Sequence, residues 1–391
     1  IDEFSELLDI SKNDKDMAYK LWKKSITNQY KIEAERGNSE FFLSYGEVFY
    51  LGLFGCEEDI NKALYWFKKA AQNNNSEAQY NIGMIYLNGD GVERNHNVAK
   101  KWFEKSSLQN HYESNYQLAC MYLDEELGML DQKLGYEFLK KASTPRSKNE
   151  TPSSDAIVGR GLCLENGWGV KKNLKEAIKF YEKASDPDLP GGDNAKGMYY
   201  LGLIHYYGTG VPVNFEKAYE LFLDLSKKEY PYAYYELGSL TYFEEFGEFN
   251  EQTAKWFLKA AESNIRKAYY YAGMSYSYLD MNFEAEKYLL MSLEDDTYDH
   301  ADKVSTYFSM GENYMYWNTL PRKYPEALKY FNKILESEYN LSLLDQDDAP
   351  LVFLNTGLAL NRLSEKDEAL SIYRDGISFY EKNIQNFNDN E

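Results

Sequence analysis

The strongest constraint on the fold is a unit of two short helices that recurs along the chain. Its clearest copy is residues 77–108, EAQYNIGMIYLNGDGVERNHNVAKKWFEKSSL. Small and apolar residues recur with helical spacing in the first half, and Asn-Gly-Asp-Gly then interrupts them. Ala99, Trp102 and Phe103 form a second apolar stripe. Neither short helix can bury its stripe alone, so the unit must stack against copies of itself.

Nine copies can be aligned on a small residue in each helix, where two backbones must pass closely. The first-helix anchors are Gly46, Gly83, Ala119, Gly161, Gly202, Gly238, Gly273, Gly311 and Gly357. The second-helix anchors are Ala63, Ala99, Gly135, Ala177, Ala218, Ala254, Ala285, Ala327 and Ala369. A large apolar residue is expected four places after each second-helix anchor: Phe67, Phe103, Leu139, Tyr181, Phe222, Leu258, Leu289, Phe331 and Tyr373.

The spacing between the two anchors identifies the type of repeat. Twelve residues separate 273 from 285 and 357 from 369, as the tetratricopeptide pattern requires, whereas six pairs have a spacing of 16. The added residues form a loop that carries Gly-x-Gly-Val at 89–92, 167–170 and 208–211. This signature resembles the Sel1-like repeat, a longer-looped relative of the tetratricopeptide repeat, over roughly residues 40–380. Pairs seven and nine resemble plain tetratricopeptide units.

The repeat pattern and the resemblance together predict an all-α fold. We expect a right-handed superhelical α-solenoid of about nine helix pairs around one continuous core. Residues 1–40 are expected to form an N-terminal helical cap, since Ala18 and Trp22 copy the second-helix pattern beside a weaker partner stretch. Residues 41–380 would hold the repeats, and 381–391 an acidic C-terminal tail.

Charge and cysteine content argue against several classes of protein. The formal net charge of −20 disfavours nucleic acid and anionic membrane surfaces as partners, and no run of 18 apolar residues predicts membrane insertion. Cys56, Cys120 and Cys163 are odd in number and unclustered, so we predict neither a disulfide framework nor a zinc site. Cys120 and Cys163 fall inside first helices and are expected in the core. Together with the absence of a visible signal segment, these features slightly favour a soluble, cytoplasmic protein.

A search for catalytic motifs finds no P-loop, nucleophile elbow, zinc-protease helix or Cys-x-x-Cys, and the four histidines lie in different repeats. We therefore expect no catalytic site, no metal and no cofactor. One alternative is a hydrolase of cell-wall or β-lactam-like substrates, as described for some bacterial Sel1-like proteins. Such an enzyme would need a serine or acid–base constellation that the spacing of residues does not reveal.

Tyrosine is the residue type that points to binding. The chain has 37 tyrosines, and one recurs three places before the first-helix glycine, on the side that the tetratricopeptide alignment assigns to the concave groove. Tyrosine offers a large rigid contact area with a hydroxyl at its tip, although packing between repeats explains the same pattern. A second set, Tyr207, Phe243, Tyr278 and Tyr316, lies near first-helix ends, where packing needs it less. The candidate partner-binding residues are Tyr80, Tyr116, Tyr199, Tyr200, Tyr207, Tyr235, Phe243, Tyr270, Tyr271, Tyr278 and Tyr316.

The resemblance implies a scaffold or adaptor that binds a peptide or protein domain in the concave groove. Sel1-like proteins include adaptors in protein degradation at the endoplasmic reticulum, activators of chitin synthase, and bacterial factors for host interaction or signalling. A further alternative is an acidic immunity or inhibitor protein that clamps a basic toxin or enzyme. Strong salt dependence of binding would favour that alternative over a reader of neutral peptides.

Overall fold

The computed structural model describes residues 15–145, 152, 154–187, 195–244, 250–295, 298–316, 323–336, 338–344 and 348–388. Every regular element within these ranges is a helix, which confirms the all-α fold predicted from the sequence. Contacts group the chain into two compact units, Ile1–Val213 and Asn214–Glu391. The cap and tail boundaries at residues 40 and 380 stay predictions.

The first unit consists of one leading helix, four helix pairs and one closing helix. The leading helix is α1 (Lys15–Glu35). The pairs are α2 (Glu40–Tyr50) with α3 (Ile60–Gln72), α4 (Ser76–Asn88) with α5 (His96–Ser107), α6 (Tyr112–Leu123) with α7 (Gln132–Ser143), and α8 (Ser154–Asn166) with α9 (Leu174–Ala184). The closing helix is α10 (Ala195–Tyr207). Each second helix also packs against the first helix that follows it, so the pairs stack in sequence.

The second unit repeats this plan. It opens with α11 (Phe215–Lys227). Its pairs are α12 (Pro231–Glu244) with α13 (Glu251–Glu262), α14 (Tyr269–Tyr278) with α15 (Asn282–Leu293), and α16 (His300–Met315) with α17 (Tyr324–Leu335). A short helix α18 (Glu338–Leu341) precedes the last pair, α19 (Asp348–Arg362) with α20 (Lys366–Asn388). Helices therefore occupy both positions of all nine predicted pairs.

The first-helix glycine makes room for a ring on the partner helix. A Cβ at Gly83 would lie 2.5 Å from Cε1 of Phe103, a side chain with 0% exposure. The third pair reverses the arrangement, because its glycine is in the second helix. There a Cβ at Gly135 would lie 2.7 Å from Cγ of Leu123, and the first helix carries Ala119 instead. In both pairs, glycine stands directly opposite a large side chain of the partner helix, whichever of the two helices carries it.

Two residues predicted for the core are placed differently by the structure. Leu258 is only partly buried. Phe257 faces the first helix in its place, since a Cβ added to Gly238 would lie 2.7 Å from Cδ1 of Phe257. Positions three and four after an anchor share one helix face, so either can fill the site. Cys163 is buried as predicted, whereas Cys120 is exposed. Cys120 is the residue after the anchor Ala119. Its side chain therefore points about 100° away from that of the anchor around the helix axis, off the packed face.

An asparagine or aspartate caps six of the second helices. At α5, the side-chain oxygen of Asn95 accepts a hydrogen bond from the backbone N–H of Val98 at 3.0 Å. The N–H of Asn95 donates to the carbonyl of Tyr86 at 2.8 Å, which closes the loop between α4 and α5. The capping residues stand four places before the second-helix anchor, at Asp59, Asn95, Asp131, Asn173, Asn214 and Asn250.

The second glycine of the Gly-x-Gly loop joins one pair to the pair before it. Gly91 has a φ of +63°, and a Cβ there would lie 2.9 Å from Cβ of Ile60, the first residue of α3. Gly210 holds the same relation to Leu174, the first residue of α9. These loops are therefore contacts between repeats as well as turns within one repeat.

Candidate functional site

Some neighbouring first helices within a unit touch each other: α8 touches α10, and α16 touches both α14 and α19. In each unit, we call the surface formed by the first helices the first-helix face. Most of the tyrosines proposed for binding lie on first helices, so this face is the candidate binding site. The amount of each ring that packing leaves exposed decides what a partner could contact.

In the first unit, the tyrosines three places before the anchor are half-buried. The ring centroid of Tyr80 lies 5.9 Å from that of Phe103 and 5.2 Å from that of His111. Burial raises the pKa of the Tyr80 hydroxyl, as do the charges of nearby carboxylates. Burial also raises the pKa of Tyr116, which packs against the buried cluster around Ala119. Both rings therefore contribute to packing and keep only part of their surface for a ligand.

The last helix of the first unit combines packed and exposed tyrosines. Tyr200 stacks on Tyr181 with centroids 5.2 Å apart, and Tyr199 meets Tyr200 edge-on at 5.6 Å. Tyr207, at the helix end, is 66% exposed and meets the ring of Tyr206 edge-on. The end of α10 therefore presents more aromatic surface than its middle.

In the second unit, aromatic rings of the first helices α12 and α14 contact one another and a ring of the second helix α13. Tyr271 stacks on the buried Phe257 with centroids 4.5 Å apart. The rings of Tyr235 and Tyr242 approach Tyr271 edge-on, with centroids 6.2 and 5.9 Å away. Burial raises the pKa of both the Tyr235 and the Tyr271 hydroxyl. Tyr270 is partly buried, and its hydroxyl shares a 3.2 Å hydrogen bond with the hydroxyl of Ser309.

The helix-end tyrosines of the second unit are more exposed. Tyr278 is 52% exposed and Tyr316 is 56% exposed. The Tyr316 hydroxyl donates a hydrogen bond to Oδ1 of Asn355 at 3.2 Å, which links α16 to α19. The side chain of Phe243, the remaining member of the predicted set, lies outside the described residues.

A half-buried carboxyl lies on α16, one turn before Tyr316, which directly follows this helix. Glu312 accepts a hydrogen bond from Nδ2 of Asn355 at 3.5 Å. Burial, and after it the negative charge of Asp348, raise the pKa of Glu312 to about 7, although the Asn355 hydrogen bond opposes both effects. No Lys, Arg or His among the residues that the structure describes lies within ion-pair distance of Glu312. The site therefore holds a carboxyl that becomes ionised only at a cost.

Reasoning from the sequence missed Glu312, although a signal was present. The residue after each first-helix anchor reads Glu47, Met84, Cys120, Leu162, Leu203, Ser239, Met274, Glu312 and Leu358. Glutamate is unexpected among apolar and small residues at a half-buried position. Burial raises the pKa of Glu47 as well, followed by the charge of Glu77. Comparing this position across the repeats would have singled out both glutamates.

Metal sites and membrane-spanning segments are not found in the described part of the chain. No group of three or more His, Cys, Asp or Glu in these ranges could hold a metal ion. No helix among the described residues is long and apolar enough to cross a membrane.

Stacked helix pairs with small anchors define a repeat protein of the tetratricopeptide-like α-solenoid class. The profile of the Sel1 repeat matches residues 5–30, 38–75, 76–111, 113–144, 154–186, 195–223, 231–265 and 305–339. Because these ranges cover more than half of the chain, the protein belongs to the Sel1 repeat family. Pairs seven and nine lie outside them, in agreement with their shorter spacing. The first match falls within the stretch predicted to be a cap. Repeat folds of this kind generally serve as scaffolds for protein interaction.

This chain is similar to several known proteins, and the share of each chain that the match covers differs among them. A sel1-like repeat-containing protein of Acanthamoeba polyphaga mimivirus is 36% identical over 77 residues, which are 20% of this chain and 13% of that protein. The protective antigen c5321 of uropathogenic Escherichia coli superposes with a TM-score of 0.60 at 22% identity, over 89% of this chain and 73% of that one. A Sel1 repeat protein of Oxalobacter formigenes gives 0.48 at 24% identity, over 57% and 85%. The match to c5321 shows the fold alone.

Proposed function

We propose that this protein is an interaction scaffold that binds a peptide or protein segment along its first-helix face, which the repeat pattern assigns to the concave groove. The observation that carries the proposal is that the exposed Tyr316 and the half-buried Glu312 both hydrogen-bond the side chain of Asn355, which brings an aromatic ring and a carboxyl close together. Tyr207 and Tyr278 offer comparable aromatic surface on other first helices. Aromatic rings with a polar tip are suited to peptide recognition because they bury much area and lose little entropy.

The chemistry of this face favours a ligand with basic residues. An ammonium or guanidinium group next to Glu312 and Asp348 would stabilise the ionised form of Glu312 and compensate for its burial. The Tyr316 ring can pack against the same cation. The net charge of −20 would also attract a basic partner over a distance, and more strongly at low salt.

A selection experiment tests this proposal with a library of ligands in place of the natural partner. Phage-displayed random peptides would be selected on the wild-type protein, and fluorescence anisotropy would then give their dissociation constants. We expect the selected peptides to be rich in Arg and Lys, and to bind about tenfold more weakly to Tyr316→Ala and to Glu312→Gln. Glu326→Gln is the matched control, since this exposed carboxylate lies on the second helix α17.

Two outcomes would contradict the proposal. One is a set of selected peptides without basic residues. The other is binding to Tyr316→Ala and Glu312→Gln that is as tight as binding to the wild type. A partner that binds only as a folded basic protein, with strong salt dependence, would instead favour the immunity or inhibitor alternative.

A further inference from the structure

A groove between two neighbouring second helices of the first unit has a different chemistry from the first-helix face. It lies between α5 and α7 and has a volume of about 560 Å³. Its apolar wall includes Trp102 and Phe138, both partly exposed. Leu108, at the end of α5, is 85% exposed and extends the wall. Aromatic and aliphatic side chains therefore remain open to a ligand here.

Three ammonium groups border this apolar wall. Lys105 Nζ lies 4.1 Å from the ring centroid of Trp102, and Lys141 Nζ lies 4.7 Å from that of Phe138. Lys101 also lines the groove, and Glu104 is the carboxylate in its lining. The cation–π contacts hold positive charge directly over the exposed rings. The groove is thus locally basic in a chain of net charge −20.

A groove in the second unit provides an internal comparison. It lies along α13, has a volume of about 640 Å³, and is also lined by two lysines, Lys255 and Lys259. Glu251 and Glu262 balance their charge, and its apolar residues are aliphatic. The excess of positive charge and the aromatic wall therefore distinguish the α5–α7 groove from another groove of similar size.

We propose that the α5–α7 groove binds an acidic segment of a partner protein in which aromatic or aliphatic residues alternate with carboxylates. The apolar side chains of this segment pack on Trp102, Phe138 and Leu108. Its carboxylates pair with Lys101, Lys105 and Lys141. Charge complementarity makes the occupant acidic, and the apolar wall gives it affinity beyond that of exposed ion pairs. This surface is separate from the first-helix face and does not depend on the function proposed for that face.

Binding of a defined peptide tests the proposal. The probe is a short fluorescein-labelled peptide in which Glu alternates with Phe and Leu, measured by anisotropy against the full chain. We expect saturable binding that Lys105→Gln/Lys141→Gln weakens by about fivefold, since two exposed charge contacts are lost. Leu108→Ser should weaken binding by about threefold and leaves the core untouched, because this side chain is 85% exposed. Lys259→Gln, in the charge-balanced groove, should bind as the wild type does.

Two control ligands test whether the groove prefers an acidic peptide. A peptide with Gln in place of every Glu should bind at least fivefold more weakly than the acidic peptide. Equal binding of the two peptides, unchanged affinity in both groove variants, or no saturable binding would overturn the proposal. So would a single-stranded oligothymidylate that binds more tightly than the acidic peptide and loses affinity in the double lysine variant.

Discussion

Replacing Gly83 by alanine tests whether the Phe103 ring is the reason that the first-helix anchor must be glycine. The added Cβ would lie 2.5, 2.7 and 3.0 Å from Cε1, Cδ1 and Cζ of Phe103. Contacts this short are not tolerated, so either the ring or the helix must move. Phe103 is fully buried and packs in one cluster with the buried Leu118 and Met121, so the ring has no open space into which it can rotate.

The expected magnitude follows from two opposing effects. Alanine is favoured over glycine inside a helix by about 1 kcal/mol. Overpacking a close-packed core costs about 1–3 kcal/mol, and the upper end applies where the neighbours cannot yield. We therefore expect Gly83→Ala to lower the free energy of unfolding by about 2 kcal/mol. A substitution that improves helix propensity would thus destabilise the protein.

A double-mutant cycle separates the clash from other effects. Phe103→Leu removes the ring and should cost about 1–2 kcal/mol by itself, because it leaves a cavity. In combination with Gly83→Ala, it should cost less than the sum of the two single changes. The third pair already combines alanine and leucine at these two positions, as Ala119 and Leu139, and both lie in one buried cluster.

Denaturant unfolding followed by circular dichroism gives the four free energies, and hydrogen exchange of peptides from α4 and α5 assigns the change to this pair. The local measurement is needed because repeat proteins can unfold in parts. Additivity of the two substitutions within about 0.5 kcal/mol would refute the explanation, since it would mean that the two side chains do not interact.

Three further predictions concern the loops and the buried carboxyl. Asn95→Ala removes the cap of α5 and should lower the free energy of unfolding by about 1 kcal/mol in denaturant titrations. Gly91→Ala should lower the thermal midpoint, because its φ is +63° and its Cβ would press on Ile60; an unchanged midpoint would contradict the inter-repeat contact. Glu312 has its pKa raised from 4.5 to about 7 by burial and by Asp348, so the folded state binds the proton more tightly. The stability of the wild type should therefore fall as pH rises from 4.5 to 7, by up to about 3 kcal/mol, while Glu312→Gln shows a flatter profile.

The sequence predicted the helix pairs well because their determinants are local and repeated. Small anchors, helical periodicity and loop glycines recur at fixed spacing, so each copy supports the interpretation of the others. The side chain that fills each anchor site was less predictable. Phe257 replaces Leu258 because positions three and four after an anchor lie on one helix face, and sequence alone does not choose between them.

The candidate site was predicted less completely for a related reason. Tyrosine suits packing and recognition alike, and exposure is what separates the 56% exposed Tyr316 from the partly buried Tyr270. The importance of Glu312 depends on Asp348 and Asn355, which belong to the following pair. Contacts between repeats place these groups together, and no spacing within one repeat contains that information.

In the proposed function, stacking and recognition use different positions of α16, and this separation would explain a feature of Glu312 that stability alone does not. Its neighbour Gly311 faces the buried ring of Phe331 and cannot change without disturbing the pair. Glu312 is the next residue along the helix, and it lowers stability at neutral pH, because a half-buried carboxyl whose pKa is raised to about 7 must there either be ionised at a cost or take up a proton. A glutamine would keep the size and the hydrogen-bonding capacity without this cost. The basic ligand of the proposed function would supply the missing positive charge, and this would explain why a glutamate stands where a neutral analogue would serve folding better.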